Sequence, residues 1–229
     1  VLPTPEQEVM MFRTAHTCRA AWNWALAKNL EQEEQGKPVF NAKRLQKMYI
    51  EARNSDTDKS LEYMKKFAQV AIFQEFIDLE FAYNKYDKMR DPKHPYTSKV
   101  LQRCTRQNRA PKVIERKFHP QFKSRKRSKI AFADRSDACY FNVKKDDPYK
   151  VYVILAKVGW VEVQTNYVLS VGKGACKIYN PRVSYEHGRW MFSCALEYEN
   201  QVTKLHDYSL GIDLNVGNLA VISYNFSFE

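Results

Sequence analysis

Leu210-Gly211-Ile212-Asp213-Leu214-Asn215-Val216-Gly217 reads as an apolar strand that carries a single acid, Asp213. A second apolar stretch, Leu219 to Ser223, follows almost at once and predicts a neighbouring strand. A carboxylate inside an apolar strand must be paired, hydrogen-bonded or bound to metal, because bare burial of the charge is costly. Phosphoryl-transfer enzymes place acids this way to hold divalent ions against a phosphate. Lone acids near strand ends also remain solvated or cap turns, so the rest of the chain must decide. Two-metal chemistry needs several acids, and six residues follow Ser223. The expectation is a site completed elsewhere, or a chain that is a piece of something longer.

The 229 residues suffice for one large or two modest domains with real cores. Aromatics make up 14% of them, far more than a disordered chain carries. The net charge of +11 points to a polyanionic partner, nucleic acid first and an anionic membrane surface second. No apolar run approaches the ~20 residues of a membrane span, and no signal peptide is visible. Cys18, Cys104, Cys139, Cys176 and Cys194 are odd in number and widely spaced, which argues against a disulfide framework or a zinc site and for a reducing, intracellular setting. The charge is local. Lys88–Lys129 holds fifteen Lys or Arg against Asp91 and Glu115, so this stretch carries the whole excess.

Thr4-Pro5-Glu6-Gln7 is a helix start, with Thr4 as cap, Pro5 at the first helical position and Gln7 closing a capping box. Met11, Ala15, Cys18, Trp22, Ala25 and Leu26 then fall on one face, and Gly36-Lys37-Pro38 ends the helix. A second, more polar helix is predicted over Asn41 to Arg53. A third, long one runs from about Leu61 to Met89, with Phe67, Val70, Phe73, Ile77 and Phe81 as its inner stripe. Asp91 to Pro111 is basic and proline-punctuated and reads as a long loop or a segment ordered on binding. Beyond it the period becomes two. Strands are expected around Ile130 and Phe132, Tyr140-Phe141, Val151 to Leu155 and Val158 to Val163. A hairpin follows, Pro181 to Tyr185, turning at Glu186-His187-Gly188, with Trp190, Phe192, Cys194, Leu196 and Tyr198 on one face of its partner. This region reads as a small antiparallel barrel or sandwich.

Phe118-His119-Pro120-Gln121-Phe122-Lys123-Ser124-Arg125-Lys126-Arg127-Ser128-Lys129 packs five cations into seven residues, flanked by Phe118, Phe122 and Phe132. Cations grip phosphates, Arg two oxygens at a time, and aromatics can stack on bases or pin the loop to the sheet. A solvated charge run is the plain alternative. Lying inside the basic stretch favours nucleic-acid contact, with Lys123, Arg125, Lys126, Arg127 and Lys129 as the contacts. His119 and His187 have no acid or cysteine at ligand spacing and are assigned to neither metal nor catalysis. Gly172-Lys173-Gly174 lacks the length and Ser/Thr of a phosphate loop.

These pieces carry a resemblance. Pro3-Thr4-Pro5-Glu6-Gln7 with Cys18-Arg19-Ala20-Ala21-Trp22-Asn23-Trp24-Ala25-Leu26 resembles the N-terminus of the transposon-encoded TnpB proteins. Asp78-Leu79-Glu80-Phe81-Ala82-Tyr83-Asn84-Lys85-Tyr86 is similar to the end of their long bundle helix. Phe122-Lys123-Ser124-Arg125-Lys126-Arg127-Ser128 resembles their Phe-Lys-Ser-basic-Ser signature, and Gly211 to Ala220 their first RuvC motif. Small type V CRISPR effectors share the pattern. The four motifs stand in the family's order along the whole chain.

The resemblance implies an RNA-guided DNA endonuclease of α+β multidomain build. A helical recognition bundle is inserted in a small antiparallel β-barrel, the wedge, and an RNase H-like RuvC domain follows. On this chain that gives 1–5 as the end of a first wedge strand and 6–108 as the bundle with its basic loop. The wedge barrel then covers 109–202, and 203–229 opens the RuvC domain. Asp213 matches the first catalytic acid and a Mg²⁺ ligand in a two-ion site. Guide RNA and double-stranded target DNA are the implied partners, no membrane is expected, and a homodimer on one RNA is a further expectation. Gln69 and Gln74 lie on the long bundle helix, where the family's motif-reading residues cluster, and Gln pairs naturally with adenine. Asn41 and Arg44 on the second helix are further candidates.

The chain departs from the family at Asn215, where Gly is usual, and in a basic loop, Asp91 to Arg116, longer than usual. The family's later Glu, its Cys-x-x-Cys zinc ribbon and its final Asp are absent, so zinc is expected only in sequence beyond Glu229. The implied setting is the prokaryotic cytoplasm, nucleoid-associated when DNA is bound. A nuclease-dead RNA-guided regulator on the same scaffold, or a free-standing basic RNA-binding protein, are the alternatives.

Overall fold

A computed structural model describes residues 1–55, 59–91, 93–106, 118–165, 171–197, 210–213 and 221–224. Five helices come first: α1 (Pro5–Glu34), α2 (Ala42–Asn54), α3 (Lys59–Met64), α4 (Gln69–Arg90) and α5 (Pro95–Arg106). The strands are β1 (Ile130–Ala133), β2 (Phe141–Lys144), β3 (Asp147–Leu155), β4 (Gly159–Val163), β5 (Lys177–Glu186), β6 (Arg189–Glu197), β7 (Leu210–Asp213) and β8 (Val221–Tyr224). Two units divide the chain, Val1–Glu197 and Tyr198–Glu229.

Helix α1 is locked at both ends. The Thr4 hydroxyl accepts the Gln7 backbone N–H at 3.3 Å and the Gln7 side-chain oxygen Oε1 accepts the Thr4 N–H at 3.0 Å, a complete capping box. At the far end Gly36 adopts φ +65°. The N–H groups of Gly36 and Lys37 reach back to the Glu33 and Gln32 carbonyls at 3.0 and 2.9 Å, a Schellman closure.

Between those ends α1 runs through two separate cores. Met11, Ala15 and Cys18 bury against the sheets, among Phe132, Phe141, Val153, Leu155, Val161, Val183 and Trp190. Ala21, Trp22, Ala25 and Leu26 bury in a helical core with Leu45, Tyr49, Leu61, Ile72, Phe76 and Leu79. Helix α4 repeats this division, giving Ala71 to the first core and Ile72, Phe76, Leu79, Tyr83 and Tyr86 to the second. Asn29, fully buried on α1, accepts the Phe40 N–H at 2.9 Å and donates to the Phe40 carbonyl at 3.4 Å, which fixes the entry to α2.

The sheets are antiparallel, in the orders β1-β5-β6 and β2-β3-β4. The Phe141 and Phe192 rings meet edge to face at 5.9 Å between them. Among the described residues these are two separate three-stranded sheets, so the expected closed barrel is corrected to paired sheets. The β5–β6 hairpin turns through His187 (φ 52°) and Gly188 (φ 77°), the two positive angles of a type I′ turn. Leu2 donates its N–H to the Glu162 carbonyl at 2.8 Å, and the Gln7 amide to the Trp160 carbonyl at 2.7 Å, so the start of the chain is held on β4. In the second unit β7 pairs antiparallel with β8, Asp213 opposite Val221.

Three helical expectations are revised. The single helix over Leu61–Met89 is two. After α3 the N–H groups of Lys65, Lys66 and Phe67 each bond three residues back, a tight closing turn. The Gln69 amide then donates to the carbonyls of Met64 and Phe67, at 2.9 and 3.1 Å, and so ties the break together. Restarting at Gln69 changes which face is inside. Ile72, Phe76, Leu79, Tyr83 and Tyr86 are buried, whereas Ile77 and Phe81 from the expected stripe are 38% and 65% exposed. Finally, most of the expected loop Asp91 to Pro111 is helix α5. Pro95 opens it, the Ser98 N–H bonds the His94 carbonyl, and Thr97 is buried with its hydroxyl on the Met89 carbonyl at 2.5 Å. Thr97 and Cys104 give it a narrow buried edge that its many cations obscure in the sequence.

Replacing Asn29 by Ala leaves the half-buried Phe40 N–H and carbonyl without their partner. The expected loss is about 1–3 kcal/mol of unfolding free energy, read as a lower urea midpoint at unchanged slope.

Candidate nucleic-acid interface

The basic signature is moored to the helical core by its first residues. The Trp22 indole donates to the Gln121 carbonyl at 3.0 Å. The Asn23 amide grips the backbone of Lys123 on both sides, accepting its N–H at 2.8 Å and donating to its carbonyl at 3.0 Å. The Lys123 ammonium lies 2.5 Å from a Glu75 carboxylate oxygen and 4.0 Å from the centre of the Trp22 ring. Glu75 is only 6% exposed. Burial raises its pKa from the usual carboxylate value, and the Lys123 charge and hydrogen bond draw it back. Upstream, the His119 ring sits 3.2 Å from both Glu33 oxygens, edge-on to Tyr86 at 4.8 Å.

Beyond Lys123 the chain turns outward. The Ser128 N–H bonds the Ser124 carbonyl at 3.0 Å, and the Ser124 hydroxyl accepts the Arg127 N–H at 3.2 Å. The serine at the start of the signature therefore closes the turn, with Arg125, Lys126 and Arg127 exposed along it. Among the described residues none of these three has an ion-pair partner. Lys129 is exposed and pairs with Glu186 at 3.2 Å, a surface pair worth little. The five cations thus separate into one half-buried mooring, Lys123, and four surface charges.

The aromatics separate likewise. Phe132 is buried in β1 and Phe118 packs on the helical core, edge to face with Tyr96 at 5.3 Å. Phe122 is 55% exposed beside the turn.

The remaining candidates lie on the helices. Gln69 spends its amide inside the protein, on the two carbonyls already described and on the Arg53 guanidinium, 2.5 Å from its oxygen. Gln74 is half-buried and donates to Asp78 at 2.9 Å, and Asp78 receives Arg182 of β5 at 2.9 Å. The Asn41 side chain caps α2 by accepting the Arg44 N–H at 2.9 Å, and both residues are exposed. Of Asp213 the backbone position on β7 is described, while Asn215 and Gly217 lie outside the described residues. Among the described residues no three His, Cys, Asp or Glu gather to hold a metal. One carboxylate does not make a two-ion site.

Site residues overlooked in the sequence are Asn23, Glu75, Arg19 and His16. Glu75 had a signal, an acid three residues after Ile72 and four before Leu79, on the face of α4 that carries the buried stripe. Arg19 and His16 share one face of α1 with Asn23, at i, i+3 and i+7. Burial, then the charges of Arg19 and Arg125, lower the His16 pKa from its ordinary value, so the basic turn acts electrostatically on that face.

Residues 1–38 match a helix-turn-helix domain of the OrfB/IS605 type. In the structure that range holds α1 and its closing turn, and α2 starts just beyond it. The chain is also 25% identical over 230 residues to InsQ of Escherichia coli (strain K12), named as an RNA-guided DNA endonuclease. The match covers 99% of this chain and 46% of InsQ, so the chain spans about half the length of that relative. By both matches the chain is similar to the transposon-associated TnpB proteins.

Proposed function

We propose that this chain is the nucleic-acid-gripping part, with the opening RuvC strands, of a TnpB-like RNA-guided DNA endonuclease. The observation that carries the reading is the exposed turn Arg125-Lys126-Arg127, built by a Ser-closed signature and without an ion-pair partner among the described residues, in a chain 99% of which matches about half of InsQ. Units 6–108 and 109–202 would grip guide RNA and target DNA, and 203–229 would open the nuclease domain. Phe122 offers a stacking face beside the cations. Gln74, Asn41 and Arg44 remain the proposed readers of a flanking DNA motif. Gln69 reads DNA only by giving up its helix-closing bonds. Asp213 would supply one ligand for Mg²⁺, which in such nucleases stabilises charge on a scissile phosphate. A prokaryotic cytoplasmic setting goes with this reading, and no helix among the described residues is long and apolar enough to cross a membrane. Nothing in the described residues supports a homodimer, so the proposal concerns one copy.

Combined replacement of Arg125, Lys126 and Arg127 by Ala should weaken RNA binding and flatten its log–log salt slope by about 2, roughly 0.7 per lost contact with a single strand. An unchanged slope would make the turn a solvated face.

Glu75→Gln gives a test by sign. Removing an acid near a bound polyanion should strengthen binding on charge alone. Because Glu75 moors Lys123, weaker RNA binding is expected instead, with the lost affinity restored by no change of salt.

Asp213→Ala, placed in a protein that carries the complete nuclease domain, should abolish Mg²⁺-dependent DNA cutting and leave RNA affinity within about twofold. Cutting by that variant would remove Asp213 from the site.

A further inference from the structure

We propose that His16, Arg19 and Arg125 form a subsite for one phosphodiester of the bound nucleic acid, in which His16 takes up a proton as the phosphate arrives. The subsite rests on the nucleic-acid binding proposed above and names residues for it on α1, outside the basic signature.

Its geometry comes from the mooring. His16, Arg19 and Asn23 occupy one face of α1, and Asn23 holds the Lys123 backbone by two hydrogen bonds. Lys123 turns inward to Glu75 and Trp22. Arg125, two residues on, is therefore the first exposed cation of the turn to leave that helix face. His16 and Arg19 are half-buried there. Among the described residues no carboxylate pairs with any of the three. The charges that act on His16 are those of Arg19, from its own helix, and Arg125, from the turn, and both disfavour its protonation. Gathered cationic groups with no acid to balance them repel one another, and a phosphate relieves that repulsion. Each guanidinium can offer it paired N–H donors, and a protonated imidazole adds a further one.

The proton follows by linkage. In the free protein burial and the two guanidinium charges hold the His16 pKa below its ordinary value. A bound phosphate stabilises the charged ring and raises that pKa. Between the two values the complex holds more protons than the free protein, so affinity rises as pH falls through that interval. A purely structural His16 gives no such coupling.

The experiment uses the full 229-residue chain and a 20-nucleotide single-stranded RNA of mixed sequence as probe, read by fluorescence anisotropy across salt and from pH 7.5 to 5.5. Wild type should tighten several-fold on acidification, and His16→Gln should lose most of that gain. Arg19→Ala and Arg125→Ala should each lower the salt slope by about 0.7. Arg19→Lys, which keeps the charge and folds as readily, should keep the slope. RNA binding by wild type with an Arg19→Ala slope unchanged, or with His16→Gln as acid-sensitive as wild type, overturns the subsite alone. No binding of the RNA by wild type even at low salt overturns the broader function as well.

Discussion

Glu75 is a carboxylate almost wholly inside the protein, and its burial sets terms that the neighbourhood must meet. A buried acid without a partner costs several kcal/mol, and breaking a buried pair strands the other charge. Here the partner comes from a loop far away in sequence. Lys123 reaches in, and its ammonium lies over the Trp22 ring and meets the acid. One pair thereby fixes the loop, the loop fixes the turn, and the turn sets which cations face outward. The surrounding bonds from Trp22 and Asn23 make that choice directional rather than merely attractive.

This gives the cations unequal work. In the sequence, Lys123 to Lys129 looks like one patch of charge. In the fold Lys123 is part of the core's electrostatics, Lys129 is spent on a surface acid, and Arg125, Lys126 and Arg127 remain for a partner. Phosphate affinity is roughly counted in contacts, so this sorting matters more to binding than the total charge.

Much of α1 was legible from local rules. The capping box, the Met11 to Leu26 face and the glycine stop are short-range signals, and each has its counterpart in the structure. Asn41 as the start of α2 and the His187-Gly188 turn were legible for the same reason. What misled was phase and distance. The α4 stripe depended on where the helix restarts, which a Gln69 side-chain bond decides. Helix α5 has too narrow a buried edge to show through its charge. The barrel depended on closure between strands far apart in sequence. In the site, the exposed cations could be read from composition. The roles of Lys123, Asn23 and Glu75 could not, because their partners lie 100 and 48 residues away.

Helix α1, at 30 residues, is about 45 Å long and belongs to both cores. If the two cores flex against each other, this rod must bend, and a bent rod moves most at its ends and least near its middle. Asn23, which carries the basic turn, sits close to that middle, just after α1 passes from the first core to the second at Cys18 and Ala21. The turn therefore rides near a pivot. The sheets and the helical core can breathe around a long, irregular polymer while the point of grip stays nearly still.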